Sequence, residues 1–133
     1  MSVVPEINGV EYDRTAEIFD STHFDGIFDP NNPEGRKALL LEIFGLFLVE
    51  SGSHVASIER FTDSDGEAAL REMVHSISGS AANLGLSRLA ALCRGIEAAI
   101  LEARPFDLEA CRFAIRAEYE AACSAFSSDS LLG

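Results

Sequence analysis

The sequence predicts an all-α protein, an antiparallel up-down-up-down four-helix bundle with an N-terminal extension. Two observations predict it. Four stretches carry apolar residues at the three- and four-residue spacing of one helical face, and each is bounded by residues that start or stop helices. No stretch of useful length alternates apolar with polar residues as a half-buried strand does, and no internal repeat or low-complexity tract interrupts the pattern. Short links between the four stretches make consecutive helices antiparallel neighbours.

The elements follow in order. Residues 1–26 read as a partly ordered extension, with turn signals at Pro5, Asn8 and Gly9 and a short helix near Arg14 to Phe19. The bundle occupies residues 27–126. Its first helix starts at Asn32-Pro33-Glu34, where Asn32 can cap free amides, Pro33 suits the first helical position and Glu34 complements the dipole. Leu40, Phe44, Phe47, Val55 and Ile58 supply its stripe to about Phe61, and Gly52 between Ser51 and Ser53 marks the place for a bend. Ser64 and Glu67 have the spacing of a capping box that opens a second helix. That helix, residues 67–84, carries Leu70, Met73, Val74, Ile77, Ala81 and Leu84 on one stripe and ends at Gly85, a residue suited to left-handed termination. Ser87 can cap the third helix, whose face is Leu89, Leu92, Ile96 and Ile100 and whose stop is Arg104-Pro105. Asp107 can cap the fourth, with Leu108, Cys111, Ile115, Tyr119, Ala122 and Phe126 facing inward. Residues 127–133 read as a frayed tail.

A chain of 133 residues, 47% of them hydrophobic, suits one domain with one core. Ten basic against 22 acidic residues give a net charge of −12, which repels nucleic-acid phosphates and points to protein partners. The apolar run from Ala38 to Val49 is interrupted by Glu42 and is shorter than the roughly 20 residues that cross a hydrocarbon core, so it reads as a buried helix and not as a membrane span. Leu39, Leu46 and Leu48 fall off its main stripe, and either packing by the N-terminal extension or a dimer interface accounts for them. The N-terminus lacks a basic start and an apolar core segment, and a cytoplasmic monomer follows as the expectation. Cys93, Cys111 and Cys123 have no paired short spacing and read as reduced thiols, with no metal site.

The stretch His75-Ser76-Ile77-Ser78-Gly79-Ser80-Ala81-Ala82-Asn83-Leu84-Gly85 carries the functional signal. At roughly 100° per residue, His75 points about 150° from the middle of its helix's apolar stripe, toward water or a partner. Gly79 at i+4 and Ala82 at i+7 leave the space beside the imidazole almost clear. A glycine inside a helix costs about 1 kcal/mol relative to alanine, and clearance for a phosphoryl group or an approaching protein surface is a reason to bear it. His23 and His54 have no such setting and read as a loop histidine and a partly exposed helical one.

These residues resemble the pattern of histidine-containing phosphotransfer (HPt) domains: His, any residue, apolar, Lys, Gly, Ser, small, then Asn, apolar and Gly. The resemblance continues into Leu86 to Arg94 and upstream to Phe28-Asp29-Pro30, covering about residues 27 to 126. It implies a four-helix bundle and a phosphoryl carrier, not an enzyme, with His75 as phosphoryl acceptor and donor. Ser78 stands where the family most often carries lysine, and Arg71, at i−4 from His75, is a candidate substitute cation. Gly79, Ser78, Arg71 and Ala82 are thus the expected support around the phosphoryl group, with Ser78 able to donate to its oxygens and Ser80 assigned to local bonding within the bundle. The resemblance implies as partners the receiver domains of response regulators, together with a hybrid histidine kinase. It implies no cofactor of the chain's own, because the receiver brings the Mg²⁺. The competing reading is a docking module that binds a receiver or kinase and regulates it without being phosphorylated. No nucleophile–base pair, phosphate loop or metal-ligand cluster supports an enzyme in the ordinary sense.

Overall fold

A computed structural model describes residues 4–24, 26 and 29–128. Its helices are α1 (Pro33–Glu59), α2 (Glu67–Asn83), α3 (Ser87–Leu101) and α4 (Leu108–Ser128), with short 3-10 turns at Ser21–Phe24 and Asp63–Asp65. Among the described residues there is no strand, only an isolated bridge between Ile7 and Val10. Leu40, Phe44, Val55, Leu70, Val74, Ile77, Leu89, Ile96, Ile115 and Phe126 meet in one core, so each of the four predicted stripes faces it, with Met73, Ile100, Leu108 and Tyr119 half-buried at its margin. Phe44 stacks on Phe126 at 4.5 Å and Phe47 on Tyr119 at 5.7 Å, which seals α1 against α4. Cys93 and Cys111 are buried free thiols; burial pushes the Cys111 thiol up to about 12 and holds Cys93 protonated as well.

Two of the predicted caps are present. The Asn32 side chain accepts from the Gly35 amide at 3.0 Å and Asp107 from the Ala110 amide at 3.1 Å. Two are not. Glycine at position 66, with φ of 86°, occupies the N-cap of α2, and Ser64 pairs instead with the Thr62 hydroxyl while the Asp65 carboxylate accepts the Thr62 amide. The polar side chains of that link thus close a turn of their own before the helix begins. Leu86, not Ser87, caps α3, and Ser87 donates back to the Gly85 carbonyl. The α2–α3 link is set by Gly85 at φ 74°: its amide bonds to Ala82 and that of Leu86 to Ala81, the paired bonds of a left-handed helix stop.

α1 ends at Glu59 and is helical through Gly52, whose missing side chain makes room for the Tyr119 hydroxyl; a Cβ there would stand 2.9 Å from it. No helix forms near Arg14 to Phe19, because the Asp13 carboxylate takes the Thr15 amide and hydroxyl and closes a turn.

The extension is a strap that runs antiparallel to α3. The Asn8 backbone carbonyl accepts the Asp107 amide, that of Glu17 the Arg88 amide, and the Asp20 backbone amide donates to the Gly85 carbonyl at 2.7 Å. Its own side chains Ile7, Val10 and Phe24 are buried against the bundle. A Cβ on Gly95 would lie 2.4 Å from the Glu11 carbonyl, so glycine lets the strap lie directly on α3. Beneath the strap Arg88 pairs with Glu118 at 2.5 Å, both largely buried, and joins α3 to α4.

Because the strap lies on α3, it does not cover α1. Leu39, Leu41, Leu46, Leu48 and Val49 remain exposed, contrary to a helix buried along this run. α1 is long and apolar enough to cross a membrane by length and composition alone, yet Leu40, Phe44, Phe47, Val55 and Ile58 commit one of its faces to the bundle core. Asp25, Ile27, Phe28 and residues 129–133 lie outside the described residues, and with them part of the expected first-helix signature and most of the expected tail.

Candidate functional site

α2 and α3 fold back on each other at Gly85. His75 stands ten residues before that glycine and Glu97 twelve after it, so an antiparallel pair brings them level. The His75 side chain is 73% exposed, and its Nδ1 lies 2.9 Å from Oε2 of Glu97. With Nδ1–H donating to the carboxylate, the neutral ring keeps its other nitrogen, Nε2, as the free lone pair. Glu97 escaped the sequence reading because the pairing lies between helices, 22 positions apart in the chain. A signal was present: Glu97 is the one acidic residue of α3, and counting from Gly85 places it opposite His75.

Around the imidazole the expected support residues take different positions. Gly79 is exposed, and a Cβ built on it would meet nothing within 4 Å, so the space a side chain at i+4 would take is open. Ala82 is half-buried one further turn along. Arg71, half-buried at i−4, lines a shallow depression together with Glu72, His75 and Glu97, which puts one cation and two carboxylates beside the ring.

Ser78 departs from its expected role. It is 5% exposed and its hydroxyl donates to the His75 backbone carbonyl at 2.8 Å, so it is not turned outward toward a group carried on the imidazole. The reason lies in the wheel: position 78 borders the stripe of Val74, Ile77 and Ala81, and a short hydroxyl there finds its own helix's carbonyl sooner than water. Ser80 lies on the other flank, in a groove with Ile43, Leu46 and Glu50 of α1. Of the other histidines, His23 contacts the Asn83 carbonyl through Nε2 at 3.0 Å and His54 is a half-buried residue of α1. Among the described residues no group of three or more His, Cys, Asp or Glu side chains is arranged to hold a metal ion.

The arrangement therefore offers an exposed nitrogen nucleophile on a helix, tied through Nδ1 to a carboxylate of the next helix, with open space beside it and the Arg71 cation lining the same depression. A sequence model of the Hpt domain matches residues 42–125, more than half of the chain and all of the site just described. No match was found among curated proteins or among solved structures.

Proposed function

Because this chain belongs to the Hpt domain family, whose members are phosphocarrier modules of phosphorelays that interact with receiver domains, we propose that it relays a phosphoryl group between receiver-domain aspartates through His75. The observation that carries this reading is the 2.9 Å contact between His75 Nδ1 and Glu97 on a side chain otherwise open to solvent. In the forward step the Nε2 lone pair attacks the phosphorus of a receiver's aspartyl phosphate. The bond from phosphorus to the aspartate oxygen breaks, and the carboxylate leaves with the electron pair. The ring then carries phosphate on Nε2 and a proton on Nδ1, and its positive charge faces the Glu97 carboxylate. Reversal of the same step delivers the group to the next receiver. The Mg²⁺ that steadies the transferring oxygens belongs with the receiver, and the carrier acts in the cytoplasm.

A second reading, a docking module that is never phosphorylated, is favoured by one observation. Ser78 supplies no cation, and in the depression beside the ring Arg71 shares the lining with the carboxylates Glu72 and Glu97. One experiment separates the two. Incubation with a panel of phosphorylated receiver domains should place acid-labile, alkali-stable label on the wild type and none on His75→Gln, which keeps the fold because the side chain is exposed. Binding of a receiver without any label would establish the docking module instead, and label at His23 or His54 would reassign the site.

A further inference from the structure

The outer side of α1, opposite Leu40, Phe44 and Phe47, carries a seam at the four-three-four spacing of a coiled-coil face: Ala38, Glu42, Gly45 and Val49. Leucines border it on both flanks, Leu39 and Leu46 toward α2, Leu41 and Leu48 toward α4, each pair one heptad apart. All four leucines are exposed, and Val49 is 73% exposed. The result is an exposed, largely apolar crest along α1, on which Val49 is more exposed than any of the flanking leucines, and a Cβ built on Gly45 would meet nothing within 4 Å. Such a contiguous exposed apolar face on a folded domain marks an interface.

We propose that this seam docks an amphipathic helix of a second protein, one that presents a lysine or arginine to Glu42. A helix is the occupant that matches this heptad spacing, since Ala38 and Gly45 on the seam let two helical backbones approach closely. Glu42 sets the partner's charge. It sits in the middle of the seam, is exposed, and makes no ion pair or side-chain hydrogen bond among the described residues. Covering it with apolar surface alone would strand a carboxylate away from water, whereas an ammonium or guanidinium opposite it satisfies the charge and fixes register. The same residue disfavours a second copy of this chain. Two seams face to face would bring two Glu42 carboxylates together, between molecules that each carry −12. The seam is formed by α1 alone and the candidate nucleophile lies on α2, so docking here does not rest on the phosphotransfer reading.

The test uses two synthetic amphipathic peptides of about four helical turns, identical except for one position on the apolar face, lysine in one and glutamate in the other. Titrated into the isotope-labelled full chain, the lysine peptide should bind saturably, shift the resonances of residues 38–49, and bind about tenfold more tightly than the glutamate peptide. Glu42→Lys should reverse the preference, Val49→Glu should weaken both complexes, and His75→Gln should change neither; circular dichroism of each variant checks that the exposed substitutions leave the fold intact. Absence of saturable binding by the lysine peptide would overturn the proposal, as would equal affinity for both peptides that Glu42→Lys leaves equal. Self-association of the wild type that Val49→Glu abolishes would assign the face to a second copy of the chain. Binding to phosphatidylglycerol vesicles lost in the same variant would assign it to a membrane.

Discussion

The carboxylate of Glu97 on α3 lies 2.9 Å from Nδ1 of His75 on α2. An imidazole that is otherwise solvent-facing is thereby tied to the neighbouring helix, and the pair acts as one unit. Removing the carboxylate frees the ring to change tautomer and rotamer, while an amide in its place still accepts from Nδ1–H. Glu97→Ala should slow transfer to His75 by about tenfold, the size of one hydrogen bond to a charged group. Glu97→Gln should keep most of the rate. Single-turnover transfer from a phosphorylated receiver measures both, and equal losses in the two variants would mean that the negative charge, not the orientation, matters.

Gly79 tests the need for clearance. A Cβ at this position meets no neighbour, so Gly79→Val has room and replaces a weak helix former with a better one. Thermal stability should be unchanged or slightly raised. Transfer should nevertheless fall, because a branched side chain one turn from His75 stands where a receiver must approach. A stable variant with an unchanged transfer rate would make the glycine incidental.

Arg71 lines the depression beside the ring, whereas Ser78 donates to the His75 carbonyl and points inward. Arg71→Ala should shorten the half-life of the phosphorylated protein about two- to fivefold at low ionic strength, the yield of an exposed ion pair of roughly 0.5–1 kcal/mol. Added salt should erase the difference, since exposed charges a few ångströms apart are screened. By contrast, Ser78→Lys would have to lead a charged head out of a 5% exposed position and would break the bond to the His75 carbonyl, so it should lower stability by about 1–3 kcal/mol in a denaturant titration.

The strap is held to α3 by a glycine. Gly95→Ala puts a Cβ 2.4 Å from the Glu11 carbonyl, and the displaced atom is backbone, which cannot swing aside as a side-chain tip can. The substitution should cost about 1–3 kcal/mol of unfolding free energy. Amide exchange should rise first in residues 4–24. A stability loss without faster exchange in the strap would place the strain elsewhere.

Four buried stripes, the Asn32 and Asp107 caps and the left-handed stop at Gly85 were all legible in the sequence, because each depends on residues within a few positions of one another. So was the exposure of His75, which follows from its angle to Ile77 and Ala81 on a single helix. Tertiary structure decided what those local rules leave open. Competing short-range bonds moved the N-cap of α2 from Ser64 to Gly66, with the helix itself starting at Glu67 as expected, and turned Ser78 inward, and a side chain with two partners in reach takes the one that packing brings nearer. The course of the strap over α3 was decided by Gly95 and by backbone bonds from Asn8, Glu17 and Asp20 to partners about 65 to 100 residues away in the chain. That course uncovered the leucines of α1. The pairing of His75 with Glu97 likewise exists only when two helices close on each other, for a contact across elements is set by their register and not by the order of residues within either one.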